Sequence, residues 1–204
     1  LLIISILMPL PTPRLILASA SPRRVELLRE AGYQFEVRIP EVEESHDPQL
    51  TCQELTLENA RLKARAITQQ EPGALVIAAD TLVYLDNVPF GKPDNLAHAA
   101  EMLRQLSNRT HTVCTGVAVA SSDGFEKTFA VLSEVAFKAL DDATIADYHS
   151  RIQPLDKAGA YAVQDESAMI IQSVAGSWSN VKGLPMERLT EELDALHIPK
   201  ILVS

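Results

Sequence analysis

Between residues 14 and 200, short apolar runs alternate with stretches in which apolar positions return every three or four residues. Leu15 to Ala18 predicts a buried strand. Ser21 then suits an N-cap, Pro22 the first helical position and Gly32 the stop, with Val25, Leu27 and Leu28 as the apolar stripe. "FEVRI" (35–39) alternates as a strand does, and Glu54 to about Gln70 reads as a helix stopped by Pro72 and Gly73. "ALVIAADTLVYL" (74–85) is the most strand-like segment, interrupted by Asp80-Thr81. An Asp86-Asn87 turn then pairs it with "VPF" as a hairpin. Leu96, Ala100, Leu103 and Leu106 mark a further helix. "HTVCTGVAVA" (111–120) and "KTFAVLSEVAFKAL" (127–140) are strands joined by a turn at 121–124. Asp141 caps a helix through Tyr148, "AMIIQSV" (168–174) is a strand, and Pro185 opens a last helix ending near Leu196.

Helices alternating with strands and hairpins predict an α/β fold whose sheet is mixed, in one unit with two lobes around a cleft. A length of 204 residues suffices for one good core. Residues 14–204 are read as that single domain. Residues 1–13 are read as an accessory apolar, proline-rich tail: they lack a basic leader, and Pro9, Pro11 and Pro13 cut the run far short of a membrane span. Met8 offers an initiator inside this tail.

Charge changes the picture most. A formal net charge of −9 argues against binding a nucleic-acid polymer, so any anion site must be a local concentration of positive charge. Such a site is offered by "SASPRR" (19–24). A helix start presents unpaired N–H groups, serine hydroxyls add donors, and Arg23 and Arg24 can grip phosphate oxygens in a fork. The plainer alternative is a capped surface helix whose arginines pair with Glu26 or Glu30. Asp80 ends an apolar strand, as a turn residue or as a metal ligand or base. Glu43-Glu44 is either solvated or holds a hard cation through oxygen. Lys63 reads as an exposed helical lysine, whereas Lys92 sits between Gly91 and Pro93, which fix its backbone. Cys52 and Cys114 have no metal-ligand spacing and read as free thiols in a reducing cytoplasm. Nucleophile-elbow and P-loop motifs are absent from the sequence.

Taken in order, "LASASPRR" (17–24), "EE" (43–44), "ENARLKA" (58–64), "AADT" (78–81), "GKP" (91–93), "DKAGAYAVQ" (156–164) and "GSWSNVKGLP" (176–185) resemble the Maf family of nucleoside triphosphate pyrophosphatases. The resemblance implies the fold of the inosine-triphosphate pyrophosphatases, often as a homodimer. It also implies hydrolysis of a nucleoside triphosphate between the α- and β-phosphates with a divalent metal, Mg2+ or Mn2+. Carried over by position, Asp80 is the general base, and Glu44 with Asp80 holds the metal. Ser21, Arg23, Arg24, Lys63 and Lys92 bind the triphosphate. Arg23, Thr81 and Gln164 set base preference, and the branch with Asp-Thr and this glutamine favours dTTP and UTP. Alternatives within the same resemblance are a house-cleaning enzyme for modified nucleotides and a non-catalytic nucleotide-binding regulator of septum formation.

Overall fold

The computed structural model describes residues 13–164 and 166–200, so the expected tail lies, apart from Pro13, outside the described residues. Its strands are β1 (Arg14–Ala18), β2 (Glu36–Arg38), β3 (Ala74–Leu85), β4 (Val88–Phe90), β5 (Thr110–Ser121), β6 (Glu126–Phe137) and β7 (Ile171–Ala175). All seven form one sheet in the order β2-β1-β3-β5-β6-β7, with β4 folded back on β3. β1 runs parallel to β2 and β3, and every other pairing is antiparallel, so the sheet is mixed as expected. Helices α1 (Pro22–Glu30), α2 (Cys52–Thr68), α3 (Leu96–Leu106), α4 (Asp142–Arg151), α5 (Ser167–Ile170), α6 (Trp178–Lys182) and α7 (Met186–Ala195) pack around it.

Several boundaries move for local reasons. α2 begins two residues before Glu54, because Thr51 and Glu54 form a capping box: the Thr51 hydroxyl accepts from the Glu54 amide and the Glu54 carboxylate accepts from the Thr51 amide. The expected strand over 168–174 starts only at Ile171. β6 ends at Phe137, paired with Ile171 across a register irregularity, so the preceding residues have no partner strand and coil into α5. Asp86 and Asn87 both have positive φ, the geometry of a tight hairpin turn. Gly32, at φ 83°, ends α1 in the left-handed region that glycine adopts without a steric cost.

Apolar side chains sort by the two faces of the sheet. Ile16, Ala18, Val76 and Ala78 meet Ala60, Ala64 and Ile67 of α2 on one face. Leu17, Ile77, Ala79 and Val117 meet Leu27 and Leu28 of α1, Leu184, and Leu189 of α7 on the other. A third cluster, around Val83, Leu103, Val113, Phe137, Ile145 and Tyr148, forms the second lobe with α3 and α4. β3 and β5, twelve residues each, run through both lobes.

In the second lobe His111 is buried edge-on against Phe137 and Tyr161, with its Nε2 2.8 Å from the Tyr161 hydroxyl. Burial pushes its imidazole down to about 4. Below pH 6.5 the unfolded chain takes up a proton here that the folded chain refuses, so stability falls with pH until the folded pKa near 4 is reached. We expect this group to remove about 2 kcal/mol of stability between pH 7 and pH 5. A His111→Gln variant should show a smaller difference between its urea midpoints at those two pH values. An equal difference would assign the acid sensitivity elsewhere.

Candidate active site

The site forms where β3 and β5 pass between the lobes. Side chains alternate across a strand, so the neighbours Asp80 and Thr81 project to opposite faces of the sheet. The strand is not interrupted at this pair: β3 continues to Leu85, and Asp80 lies within it instead of at its end. The Asp80 residue is 6% exposed. A buried charge needs partners, and α2 supplies them. Lys63 Nζ lies 2.7 Å from Asp80 Oδ1, and Asn59 Nδ2 lies 3.3 Å from Oδ2. Asn59 and Lys63 are four residues apart and so share one helix face.

Lys63 is thus not an exposed helical lysine. Its residue is 8% exposed, and its ammonium also meets Glu44 Oε1 at 2.8 Å. The sequence offered a usable signal: Asn59 and Lys63 fall on the same stripe as Ala60, Ala64 and Ile67, where polar residues need a reason. α2 approaches the sheet closely because Gly116, directly opposite Asp80 in the β3–β5 ladder, has no side chain. A Cβ there would lie 2.5 Å from the Thr56 carbonyl carbon and 2.6 Å from the Leu57 nitrogen.

On the opposite face Arg24 is held by the protein. Its Nε donates to Gly183 O at 2.7 Å, one Nη to the Thr81 hydroxyl at 3.0 Å and the other to the Ser19 hydroxyl at 3.4 Å. Thr81 also lies 3.0 Å from the Thr115 hydroxyl, which reaches Asn180 O at 3.2 Å. Desolvation pushes the Arg24 guanidinium below its ordinary value, with Asp80 and Glu44 opposing that and Arg23 adding to it. Sequence inspection missed Asn59, Thr115 and Asn180, whose roles depend on contacts between distant segments.

Asp80, Lys63, Asn59, Glu44, Arg24 and Thr81 line a cleft of about 1020 Å³, at the upper end of the roughly 300–1,000 Å³ usual for small-molecule sites. Its wall includes Ser21, Arg23, Lys92, Gln164 and Lys182 as well. All nine residues singled out in the sequence therefore reach one cavity. Ser21 stands at the N-cap of α1, but its side chain makes no cap bond; the Ser19 hydroxyl instead accepts from the Ser21 amide at 3.1 Å. Arg23 faces Asp156 at 3.6 Å, while Lys182, not an arginine, pairs with Glu26 at 2.7 Å. Burial tends to raise the Asp156 carboxyl, but its bond to Lys157 and the nearby Arg23 outweigh that and hold it below its usual value. Lys92 and Gln164 are exposed on the rim.

Two carboxylates, Glu44 and Asp80, thus converge on one ammonium group. Such a pair can serve a hard cation that takes one or two carboxylates and completes its shell with water and substrate phosphates. Among the described residues no group of three or more His, Cys, Asp or Glu converges.

Comparison with known proteins finds relatives over most of the chain. The chain is 46% identical over 184 residues to a dTTP/UTP pyrophosphatase of Akkermansia muciniphila, covering 90% of this chain and 97% of that protein. It is 42% identical to a dTTP/UTP pyrophosphatase of Bacteroides thetaiotaomicron, covering 90% and 96%. Among solved structures, a HAM1 protein from Coxiella burnetii superposes with a TM-score of 0.46 at 22% identity, over 61% of this chain and 73% of that one. The family model described as Maf-like protein matches residues 14–196. That span takes in every element from β1 to α7, and the chain belongs to the Maf family.

Proposed function

We propose that this protein is a nucleoside triphosphate pyrophosphatase that hydrolyses dTTP and UTP to the monophosphate and pyrophosphate. The observation that carries the reading is the buried Asp80 carboxylate, held by Lys63 and Asn59 at the floor of a cleft whose walls carry Arg23, Arg24 and Lys92. The curated relatives named dTTP/UTP pyrophosphatase support the choice of nucleotides.

The chemistry follows from charge. Negative oxygens shield the α-phosphorus, so water attacks only once cationic groups offset that charge. Arg23, Arg24 and Lys92, with the Ser21 hydroxyl at the start of α1, bind the triphosphate. Asp80 takes the proton from water as its oxygen bonds to the α-phosphorus, and the bond from that phosphorus to the α,β-bridging oxygen breaks. Lys63, between Asp80 and Glu44, holds both carboxylates in place and faces the triphosphate. Glu44 and Asp80 would hold a divalent cation, Mg2+ or Mn2+, which when bound neutralises phosphate oxygens as a Lewis acid. Arg23, Thr81 and Gln164 set base preference: Gln164 from the rim, Thr81 from beside Arg24.

The resemblance supports a homodimer, and the two free thiols, Cys52 and Cys114, support a cytoplasmic setting. Among the described residues no helix is long and apolar enough to cross a membrane.

Pyrophosphate release from dTTP, UTP, CTP, GTP, ITP and 7-methyl-GTP with Mg2+ tests the reading. Fast turnover of dTTP and UTP is expected. Binding without turnover of any nucleotide would replace the enzyme with a regulator, and preference for a modified nucleotide would favour house-cleaning. Replacing Gln164 with alanine should alter the ratio of dTTP to CTP turnover by about tenfold, the worth of one hydrogen bond to a polar edge. The maximal rate with dTTP should change less. An unaltered ratio would remove Gln164 from base selection.

A further inference from the structure

The segment that carries Glu44 has no regular structure: residues 39–47 contain neither helix nor strand. Glu44 nevertheless lies within 2.8 Å of Lys63. We propose that Asn59 is the positioning residue responsible, its amide tying this loop to the carboxylate of Asp80. The inference rests on the roles given above to Asp80 and Glu44.

The amide has only one chemically consistent orientation. The Ser45 backbone N–H, next to Glu44, is an obligate donor, so the Asn59 atom 2.7 Å from it must be the carbonyl oxygen Oδ1. Nδ2 then faces two acceptors, Ser45 O at 3.2 Å and Asp80 Oδ2 at 3.3 Å. Both are acceptors, so a flipped amide would set oxygen against oxygen at two contacts and nitrogen against N–H at the third. At 2% exposure the side chain is shielded from water, which would otherwise compete for these bonds.

One turn of α2 therefore holds both oxygens of the carboxylate, Lys63 at Oδ1 and Asn59 at Oδ2. The same two side chains reach the loop, Lys63 at Glu44 and Asn59 at both backbone polar groups of Ser45. The amide thus works with the Lys63 ammonium to fix the spacing between the two carboxylates. Substrate need not touch the amide.

Two variants separate the acceptor from the donor of this amide. Asn59→Ala removes both, whereas Asn59→Asp keeps an acceptor for the Ser45 amide, loses the donor toward Asp80 and Ser45 O, and sets a second carboxylate beside Asp80. The readouts are hydrogen exchange at the Ser45 amide and kcat and KM for dTTP. In Asn59→Ala the Ser45 amide should exchange about tenfold faster. Its kcat should fall about 10- to 100-fold, the usual cost of removing a group that orients the reacting ones, with KM changed far less. In Asn59→Asp the amide should stay protected while kcat falls similarly.

Wild-type kcat in either variant would overturn the inference, as would unchanged Ser45 exchange in Asn59→Ala. If Asn59→Ala does not fold, Asn59→Asp decides alone by its kcat. Absence of turnover in the wild-type enzyme would instead overturn the proposed function. Ser45 exchange would then still report whether the amide ties the loop.

Discussion

Asp80→Asn should leave a folded protein that binds nucleotide and turns it over about 100- to 10,000-fold more slowly, the range that a general base contributes. The substitution preserves shape, so Gly116 and α2 keep their packing. It removes one negative charge from the cleft floor, and Lys63 retains its pairing with Glu44. The cations on the walls are untouched, so dTTP should still bind, with Glu44 left as the carboxylate toward the divalent cation. What disappears is the acceptor for the proton of the attacking water, together with one of the two carboxylates toward the cation. Pyrophosphate release at saturating dTTP, with calorimetry for binding, separates the two effects. A rate near wild type would take Asp80 out of the mechanism. Equal loss of binding and rate would make it a binding group.

The second large effect is structural. Gly116→Ala places a methyl group 2.5 to 2.6 Å from backbone atoms of Thr56 and Leu57, and backbone cannot rotate away as a flexible side chain can. Either α2 lifts off β5 or the strand bows. Overpacking a close-packed interior typically costs about 1–3 kcal/mol and sometimes more, and a clash with helix backbone belongs at the top of that range. For a domain of this size, about 3 kcal/mol corresponds to a fall of roughly 6–12 °C in Tm. Because α2 also carries Asn59 and Lys63, whatever protein does fold should lose turnover beyond its loss of stability. A variant with unchanged melting and unchanged kcat would mean that α2 can retreat without consequence.

The sequence made the sheet legible because β1, β3, β5 and β6 are long apolar or alternating runs with clear turns between them. Its errors fell where a partner decides the outcome. Residues 168–170 have the composition of a strand, yet β6 stops before reaching them. Asp80 looks like the end of a strand because an isolated carboxylate does not belong inside one. Lys63 and Asn59, seventeen and twenty-one residues upstream, make it tenable there, and no local window contains all three. The same holds for Arg24, whose acceptor Gly183 O is 159 residues away. Family motifs collected the nine site residues into one cavity, but the amide that helps space Glu44 from Asp80 emerged only from the folded geometry.

The continuity of β3 and β5 through both lobes has a mechanical consequence. Domains that close about a cleft usually swivel on a few loop residues, but here any swivel must bend two adjacent strands hydrogen-bonded to each other along ten paired positions. Such a spine is stiff. A cleft built on such a spine is expected to admit nucleotide and release pyrophosphate without the two lobes swivelling against each other.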